Sequence, residues 1–350
     1  MIKNPLFFLL AAVCFFGCCR FSPAPVFRSD FMAMGTIVEI KVYEPGFDKQ
    51  YVISAVQAAE AEIRRIDRLL SLYDEHSDIY RVNSHGFEQW VSVSPETIEI
   101  LEYAKLLCEK TGGALDVAAG NLFELWGFGI KRGMEIPPES KISENLRAAG
   151  FKNVIIDKKN GRIRLKNSLV RIDLGSIAKG YAVDAAAKKM EEHNLLNVLV
   201  NAGGDIYCGG TNGKQAGWLI GVRNPRKTGE SAAAAIIRDK AIVTSGDYEN
   251  FFLREGKRYS HIIDPRTGRP VSNNVISVTI IGPDARTADA LATAVMVAGV
   301  EEGMKIVERA GSECYIIVED RNGLSEKKSK GFNVFSDYMP DVKHECETPS

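Results

Sequence analysis

The sequence has no surplus of charge and none of the common nucleotide-binding motifs. Its 350 residues carry a net charge of −1, and no basic run is interleaved with aromatic residues, which argues against nucleic acid as a partner. The spacings of the P-loop and of the glycine-rich dinucleotide-binding loop are both absent. A ligand site in this chain must therefore be built from other residues.

Cysteine is present but is not arranged for metal binding. Three of the seven cysteines lie near the N-terminus, and the others are widely spaced at Cys108, Cys208, Cys314 and Cys346. Because there is no C-x-x-C pair, a zinc site of the usual spacing is excluded. Cys108 and Cys314 sit in apolar patterns, so we expect them to be core residues and predict no disulfide.

The N-terminal segment has the pattern of an export signal. A lysine precedes the apolar run 5–16, which is too short to span a membrane. A glycine followed by Cys18 resembles a bacterial lipoprotein signal, which predicts a signal peptide over residues 1–17 and a lipid on the Cys18 thiol. Cys14 and Cys19 are weaker candidates. A plain secretory signal and an uncleaved anchor are the alternatives.

The apolar periodicity predicts an α+β protein. Apolar residues spaced three and four apart over residues 51–70 predict an amphipathic helix, and Ser94 followed by Pro95 predicts the start of a second helix. Strands outnumber helices and do not alternate with them regularly, which favours mixed or largely antiparallel sheets. We further expect a polar loop over residues 74–83, a strand-like run over 162–174, and helices over 182–193, 287–297 and 301–310.

The stretch 172–184 places a glycine-containing turn between a strand-like and a helical segment. Gly175 and Gly180 allow the backbone to turn and to approach a neighbouring group closely. A helix that starts after such a turn presents free N–H groups, which attract phosphate. Lys179 would add a positive charge there, and Asp173 an acceptor. The alternative is an ordinary joint in which Lys179 is solvated.

Asp289 and Thr293 are spaced to share one face of a predicted helix that is otherwise apolar. A buried carboxylate needs a partner, and a Mg²⁺ ion that keeps water and phosphate oxygens is one such partner. The alternatives are an ion pair between Asp289 and Arg286, or capping of the first helical turn by Asp289.

His261 is the candidate general base. It precedes an Asp-Pro turn at 264–265 that would hold the loop in a fixed shape. Histidine is the usual base near neutral pH, although a structural histidine fits the same pattern. Two further turns, 201–205 and 244–246, follow predicted strands and would present backbone groups to a phosphate or a planar ring.

Taken in order, these motifs resemble one family. The N-terminal half carries Met-Gly-Thr at 34–36, Leu-Ser-Leu-Tyr at 70–73, Gly-Ala-Leu-Asp at 113–116 and Leu-Trp-Gly at 125–127. The C-terminal half carries the stretch 173–184, Asn-Ala-Gly-Gly-Asp at 201–205, Thr-Ser-Gly at 244–246, His-Ile-Ile-Asp-Pro-Arg-Thr-Gly at 261–268 and Ala-Asp-Ala-Leu-Ala-Thr at 288–293. The combination is similar to the ApbE-type FAD:protein FMN transferases.

The resemblance covers residues 31–336 and implies an ApbE-like (T-fold-like) catalytic domain there. A tether over residues 18–30 would precede this domain, and a loose tail over residues 337–350 would follow it. The implied reaction is Mg²⁺-dependent: the FMN half of FAD moves to a Thr or Ser hydroxyl of a partner protein, and AMP is released. The implied location is the bacterial cell envelope, with a lipid anchor and the enzyme facing the periplasm.

The resemblance also assigns roles residue by residue. The positions that match FAD contacts are Met34, Tyr73, Ala114, Leu115, Asp116, Asp173, Lys179 and Ile263. Those that match Mg²⁺ ligands are Ser176 (through its backbone carbonyl), Asp289 and Thr293. His261 matches the general base, and Lys179 would help Mg²⁺ to neutralise the pyrophosphate. Ala292 stands where some members carry a second carboxylate, which puts a second metal site in doubt.

The implied partners are FAD and acceptor flavoproteins, in particular subunits of membrane redox complexes. Two other functions fit the same motifs. In a Mg²⁺-dependent FAD pyrophosphatase, water would attack the phosphate and give FMN and AMP, and an open site beside Tyr73 would favour it. A non-catalytic FAD-binding lipoprotein is the second alternative. The presence of Asp289, Thr293 and His261 together argues against it, because storage needs no base.

Overall fold

The computed structural model describes residues 27–332, apart from residues 130–134, 214–215, 228, 248–250, 255–256 and 322. The predicted signal peptide, the lipidation site Cys18 and the predicted tail lie outside the described residues. The first strand, β1 (Phe27–Ala33), begins inside the segment that we predicted as a tether.

The described chain is a mixed α+β fold. Its further strands are β2 (Thr36–Val42), β3 (Val91–Ser92), β4 (Val154–Asp157), β5 (Arg162–Leu165), β6 (Val198–Ala202), β7 (Asp205–Cys208), β8 (Trp218–Arg223), β9 (Ser231–Ile237), β10 (Lys240–Gly246), β11 (Phe251–Arg254), β12 (Lys257–Ser260), β13 (Ile263–Asp264), β14 (Arg269–Pro270), β15 (Val275–Gly282), β16 (Glu313–Asp320) and β17 (Gly323–Lys328). Its α-helices are α1 (Lys49–Leu70), α2 (Asp78–His85), α3 (Pro95–Lys110), α4 (Gly120–Leu125), α5 (Glu139–Ala148), α6 (Ala178–Glu192) and α7 (Ala285–Arg309).

An antiparallel sheet of eight strands, in the order β1-β2-β6-β7-β10-β15-β16-β17, forms the centre of the fold. Helices α1, α6 and α7 pack on one face and bury the larger apolar core. The β8–β9 hairpin covers part of the other face, where Trp218, Cys208 and Tyr315 belong to a second core. The prediction of an α+β fold with largely antiparallel sheets is confirmed.

Local capping explains where the first long helices begin. The Asp48 side chain accepts hydrogen bonds from the N–H groups of Gln50 and Tyr51 at the start of α1. Ser94 accepts from the N–H of Thr97 at the start of α3, with Pro95 in the first turn. Both helices therefore agree with the sequence prediction.

Two predicted segments differ from the structure. The polar segment 74–83 contains the start of helix α2, whose Asp78 is buried and accepts hydrogen bonds from the N–H and Oγ of Ser94. The run 162–174 is a strand only as far as Leu165. Beyond it, the Asn83 side chain bonds both the N–H and the carbonyl of Ile172, so side-chain bonds replace a strand ladder there.

The C-terminal helical segment is one interrupted element. The two predicted helices lie in α7, whose backbone is non-helical at Gly299, with φ at 79°. Asn273 Nδ2 donates to the carbonyl of Met296 at 2.9 Å and satisfies a group that the interruption leaves without a helical partner. Within the described ranges, no helix is both long and apolar enough to cross a membrane.

A close contact between α6 and α7 requires glycine at position 180. A Cβ atom on Gly180 would lie 2.3 Å from the carbonyl oxygen of Ala285. We expect Gly180→Ala to lower the free energy of unfolding by about 1–3 kcal/mol, because the helices must move apart. Chemical denaturation measures this change. Gly46→Ala is the matched control, since a Cβ there meets no atom within 4 Å, and an equal loss in both variants would contradict the explanation.

Candidate active site

The predicted site residues converge on two adjoining cavities. The first, here called the histidine cavity, has a volume of about 260 Å³ and is lined by Ala114, Leu115, Asp116, Asp173, Ser176, Lys179, His261, Ile263, Asp289 and Thr293, among others. The second, here called the tyrosine cavity, has a volume of about 530 Å³ and is lined by Met34, Tyr73, Asp173 and Lys179, among others. Asp173 and Lys179 line both cavities and lie where the two join.

The tyrosine cavity is bordered by the turn between β1 and β2. Met34 and Gly35 both have positive φ values, 52° and 71°, so the strands are joined by a tight turn. The N–H of Met34 donates to Asp67 Oδ2 at 2.8 Å, which fixes the turn against α1. Tyr73 follows the end of α1 and its side chain is 74% exposed. The mouth of this cavity is therefore open to solvent beside Tyr73.

Asp116 holds the wall of the histidine cavity in shape. Its two carboxylate oxygens accept hydrogen bonds from the N–H groups of Ala118, at 2.9 Å, and Phe151, at 3.2 Å. Burial raises the pKa of Asp116, and these N–H groups oppose the change. The carboxylate thus fixes the turn that presents Ala114 and Leu115 to the cavity.

The segment before α6 brings Asp173 and Ser176 to the join of the cavities. The N–H of Asp173 donates to the carbonyl of Val117 at 2.7 Å, and its Oδ1 accepts from Gly175 at 2.8 Å. Burial raises the pKa of the Asp173 carboxyl. Helix α6 then begins at Ala178 without a side-chain cap. Its first turn, which carries Lys179, borders both cavities.

Lys179 lies between two buried carboxylates. Its Nζ is 2.6 Å from Asp205 Oδ2 and 3.5 Å from Asp289 Oδ2. Asp289 Oδ2 also accepts a hydrogen bond from the N–H of Gly180 at 3.2 Å. Burial and the nearby Asp289 raise the pKa of Asp205, and Lys179 opposes this. The ammonium group is therefore ion-paired inside the site, although the side chain stays partly exposed, whereas the alternative interpretation had Lys179 simply solvated.

The alternative partners for Asp289 are occupied elsewhere. Arg286 forms an ion pair with Glu99 at 3.0 Å, and Asp284 caps the first turn of α7. Asp184 from α6 accepts hydrogen bonds from the first N–H groups of α7. Asp289 is thus left to face Lys179 and the cavity.

Asp205 is a site residue that the sequence analysis did not assign. It was placed in a turn that presents backbone groups, yet its side chain is the nearer partner of Lys179 and is only 3% exposed. An acid at the first position of a buried strand, directly after Gly203 and Gly204, was the available signal. Phe123, Ser245 and Gly246 also line the histidine cavity, and only the last two belonged to a predicted motif.

The residues predicted as metal ligands fit a hard cation. Ser176, Asp289 and Thr293 line the histidine cavity together and offer carbonyl, carboxylate and hydroxyl oxygens. Within the described part of the chain, no three His, Cys, Asp or Glu side chains come together as a metal cluster. A single buried carboxylate beside other oxygen donors suits Mg²⁺, which keeps water and phosphate oxygens in its coordination shell.

His261 lies on the same cavity as these groups. It follows β12 directly and is half-buried, and the Phe128 ring contacts it edge-on with ring centres 6.4 Å apart. A histidine in one cavity with a lysine and a buried carboxylate can take a proton from a hydroxyl next to a bound phosphate. A lysine, oxygen donors suited to a hard cation and a histidine in one cavity are the kinds of group that one class of enzymes, those that act on phosphate groups, uses.

Comparison with known proteins narrows this class. The model of the ApbE family matches residues 34–316, and the chain belongs to that family. The FAD:protein FMN transferase of Vibrio cholerae is 34% identical over 95% of this chain and 99% of the relative. That of Escherichia coli K12 is 32% identical over 93% of this chain and 96% of the relative.

Solved structures of this family have the same fold. The crystal structure of the ApbE protein of Thermotoga maritima aligns with a TM-score of 0.79 at 37% identity, and covers 88% of this chain and 98% of that protein. The flavin transferase ApbE of Vibrio cholerae aligns with a TM-score of 0.77 at 32% identity, over 88% of this chain and 99% of that protein.

Proposed function

We propose that this protein is a Mg²⁺-dependent FAD:protein FMN transferase. It moves the FMN moiety of FAD to a Thr or Ser hydroxyl of an acceptor protein and releases AMP. One observation carries the proposal: Lys179, Asp289 and His261, from three distant parts of the sequence, line a single cavity that adjoins a larger one bordered by Met34 and Tyr73. The names of the relatives support the same activity.

The two cavities suit the two parts of FAD that matter for the reaction. A planar flavin ring needs an aromatic or apolar border, which Tyr73 and Phe123 offer. A pyrophosphate needs positive charge, which Lys179 in the first turn of α6 offers at the place where both cavities meet. The pyrophosphate would therefore lie where the cavities join.

Ser176, Asp289 and Thr293 would hold Mg²⁺, which reduces the negative charge that repels a nucleophile from the pyrophosphate. Lys179 adds a further positive charge at the same place, and Asp205 keeps it oriented. These residues would favour the transition state, in which charge builds up on the phosphate oxygens.

The transfer step can be written with all atoms accounted for. The acceptor hydroxyl oxygen forms a bond to the phosphorus on the FMN side, and the bond from that phosphorus to the bridging oxygen breaks. His261 accepts the hydroxyl proton, and the bridging oxygen leaves as part of AMP. The product is FMN joined to the acceptor by a phosphoester.

The open mouth beside Tyr73 favours water as a competing nucleophile. Tyr73 is 74% exposed, so water reaches the cavity as easily as an acceptor does. A Mg²⁺-dependent FAD pyrophosphatase is therefore the second candidate function. The chemistry of the site is the same for both, and the nucleophile alone differs.

We further propose an envelope location. The sequence predicts a lipid on Cys18, which would attach the chain to a membrane with the enzyme facing the periplasm. Acceptors would then be proteins with domains in the same compartment, such as subunits of membrane redox complexes.

The test uses the purified chain from residue 27 onward, supplied with FAD, Mg²⁺ and peptides that carry a threonine. AMP release measured by chromatography, together with flavin fluorescence on the peptide, would support transfer. Release of AMP and free FMN in equal amounts, with no labelled peptide, would instead identify a pyrophosphatase. Stable, unchanged FAD in the presence of Mg²⁺ and acceptor would contradict both activities.

A further inference from the structure

The residues proposed to hold Mg²⁺ come from two separate elements. Ser176 lies just before α6, whereas Asp289 and Thr293 lie about one helical turn apart on α7. Mg²⁺ requires near-octahedral oxygen geometry with short bonds, so it tolerates little error in the positions of its ligands. The placement of α7 relative to α6 therefore decides whether these three groups can share one ion.

Two carboxylates join α6 to α7 in opposite directions. Asp289 on α7 accepts a hydrogen bond from the N–H of Gly180, in the first turn of α6, at 3.2 Å. Asp184 on α6 accepts from the first N–H groups of α7, at 2.7 Å from Ala285 and 3.0 Å from Arg286. On each helix the carboxylate and the first N–H that is bonded are four positions apart, so the two contacts lie one helical turn apart. Together they fix both the separation of the helices and their register.

The bonds to Asp184 are made by N–H groups that a helix cannot pair within itself. Asp284 caps the N–H of Thr287 at the start of α7, and Asp184 takes the two N–H groups that precede it. Because Asp184 belongs to a neighbouring helix, its bonds also tie this turn to α6. Tyr103 on α3 contacts the same turn, with its Oη 2.6 Å from Thr287 Oγ1, but α3 contributes no residue to the lining described for either cavity.

We propose that Asp184 is a positioning residue for the metal site, which holds the first turn of α7 on α6 and thereby keeps Asp289 and Thr293 close to Ser176. The inference rests on the proposed function, because that function assigns Mg²⁺ to these three residues. Asp184 lines neither the histidine cavity nor the tyrosine cavity and borders a separate surface cavity instead. It must therefore act through α7. Water can satisfy the N–H groups in a variant without the carboxylate, but water does not tie the two helices together.

Asp184→Asn nearly keeps the size of the side chain, but it has one acceptor oxygen, and its NH₂ group would face the second N–H of α7. We expect the Mg²⁺ concentration for half-maximal transfer to rise about tenfold, the lower end of the range for residues that orient metal ligands from outside. Burial raises the pKa of Asp184 to about 7, so the assays are run at about pH 8, where the wild-type carboxylate is ionised.

A second measurement does not depend on transfer. The unfolding midpoint is followed while MgCl₂ is added in the presence of AMP, whose phosphate offers oxygens to Mg²⁺ and which the enzyme does not consume. The MgCl₂ concentration that gives half of the shift should rise about tenfold in Asp184→Asn, as for transfer. If MgCl₂ does not shift the midpoint of the wild-type enzyme, the metal site, and with it this role of Asp184, is wrong.

A double variant distinguishes positioning from general support of the fold. Asp289 supplies the charged ligand, so if Asp184 acts through it, the loss of Asp184 has little left to remove once Asp289 is changed. The variant with both Asp184→Asn and Asp289→Asn should therefore transfer FMN within about threefold of Asp289→Asn alone. Two effects that simply multiply would contradict positioning through Asp289.

Asp48 provides a matched control for stability. Like Asp184, it accepts hydrogen bonds from two N–H groups at a helix start, but it lies at the end of α1 away from the tyrosine cavity. Asp48→Ala and Asp184→Ala should both lower the unfolding midpoint. The Mg²⁺ requirement should rise in Asp184→Ala alone. If Asp184→Ala does not fold, Asp184→Asn still decides the question.

The outcomes separate this inference from the proposed function. A wild-type enzyme that transfers no FMN, or transfers it equally well without Mg²⁺, contradicts the proposed function. If the wild-type enzyme depends on Mg²⁺ and Asp184→Asn needs no more Mg²⁺ than the wild type, the function stands and the role of Asp184 is wrong. Lower stability with an unchanged Mg²⁺ requirement would likewise make Asp184 a residue of the fold only.

Discussion

Asp289→Asn is expected to reduce FMN transfer by at least about a hundredfold, because a bound metal ion contributes several kcal/mol to stabilising charge in a phosphoryl-transfer transition state. The Mg²⁺ concentration that gives half-maximal activity should rise at the same time. Steady-state transfer rates over a range of Mg²⁺ concentrations measure both changes. The asparagine has nearly the same volume, so the packing of α7 should remain.

The pairing of Lys179 makes this variant interpretable. Asp205 Oδ2 lies 2.6 Å from the ammonium, so Lys179 keeps a buried counter-charge when Asp289 is neutralised. A loss of activity would then reflect the loss of a metal ligand and not an unpaired buried charge on Lys179. Glu301→Gln, an exposed change on the same helix, is the matched control. An Asp289→Asn enzyme with normal activity and an unchanged Mg²⁺ requirement would remove Asp289 from the metal site.

His261→Asn is expected to lower transfer by about 10²–10⁴-fold, the usual contribution of general-base catalysis, while FAD affinity stays close to that of the wild-type enzyme. The reason is that His261 acts on the acceptor hydroxyl in the proposed mechanism and not on the flavin or the pyrophosphate. Single-turnover labelling of a peptide measures transfer, and quenching of flavin fluorescence measures FAD binding.

A second histidine provides the control for this prediction. His193 lies just after α6, at the end opposite Lys179, and lines neither cavity. His193→Asn should leave transfer unchanged. If His261→Asn weakens FAD binding as strongly as it weakens transfer, the residue supports the cavity wall instead. Unchanged transfer would exclude His261 from proton transfer altogether.

Much of the fold follows from local signals in the sequence. The caps at Asp48 and Ser94 and the apolar spacing of α1 are short-range features, and each predicted its element. The segment 162–174 could not be predicted in the same way, because its end is held by Asn83 from a distant helix. Helix α2 was missed because its buried polar residue, Asp78, is satisfied by Ser94, sixteen positions further on.

In the site, too, features set by local sequence were predictable and contacts between distant residues were not. The residues that match FAD contacts, Mg²⁺ ligands and the general base all line one or both of the two cavities. The pairing of Lys179 with Asp205 was not predictable, because twenty-six positions separate them and either residue alone reads as part of a turn. The position of the hairpin β11–β12 beside the site was not predictable, because its contacts with Trp126 and Phe128 join distant parts of the chain.

If Cys18 carries the proposed lipid, the direction of β1 would limit how far from the membrane the enzyme works. The strand runs from Phe27 toward the turn that borders the tyrosine cavity, so its start lies about 20 Å from the mouth at the usual rise per residue. A lipid on Cys18 would leave nine peptide steps before Phe27, at most about 30 Å of chain. The mouth would then stay within the sum of these two lengths from the bilayer surface. Labelling would be limited to acceptors that present their hydroxyl within that distance of the membrane.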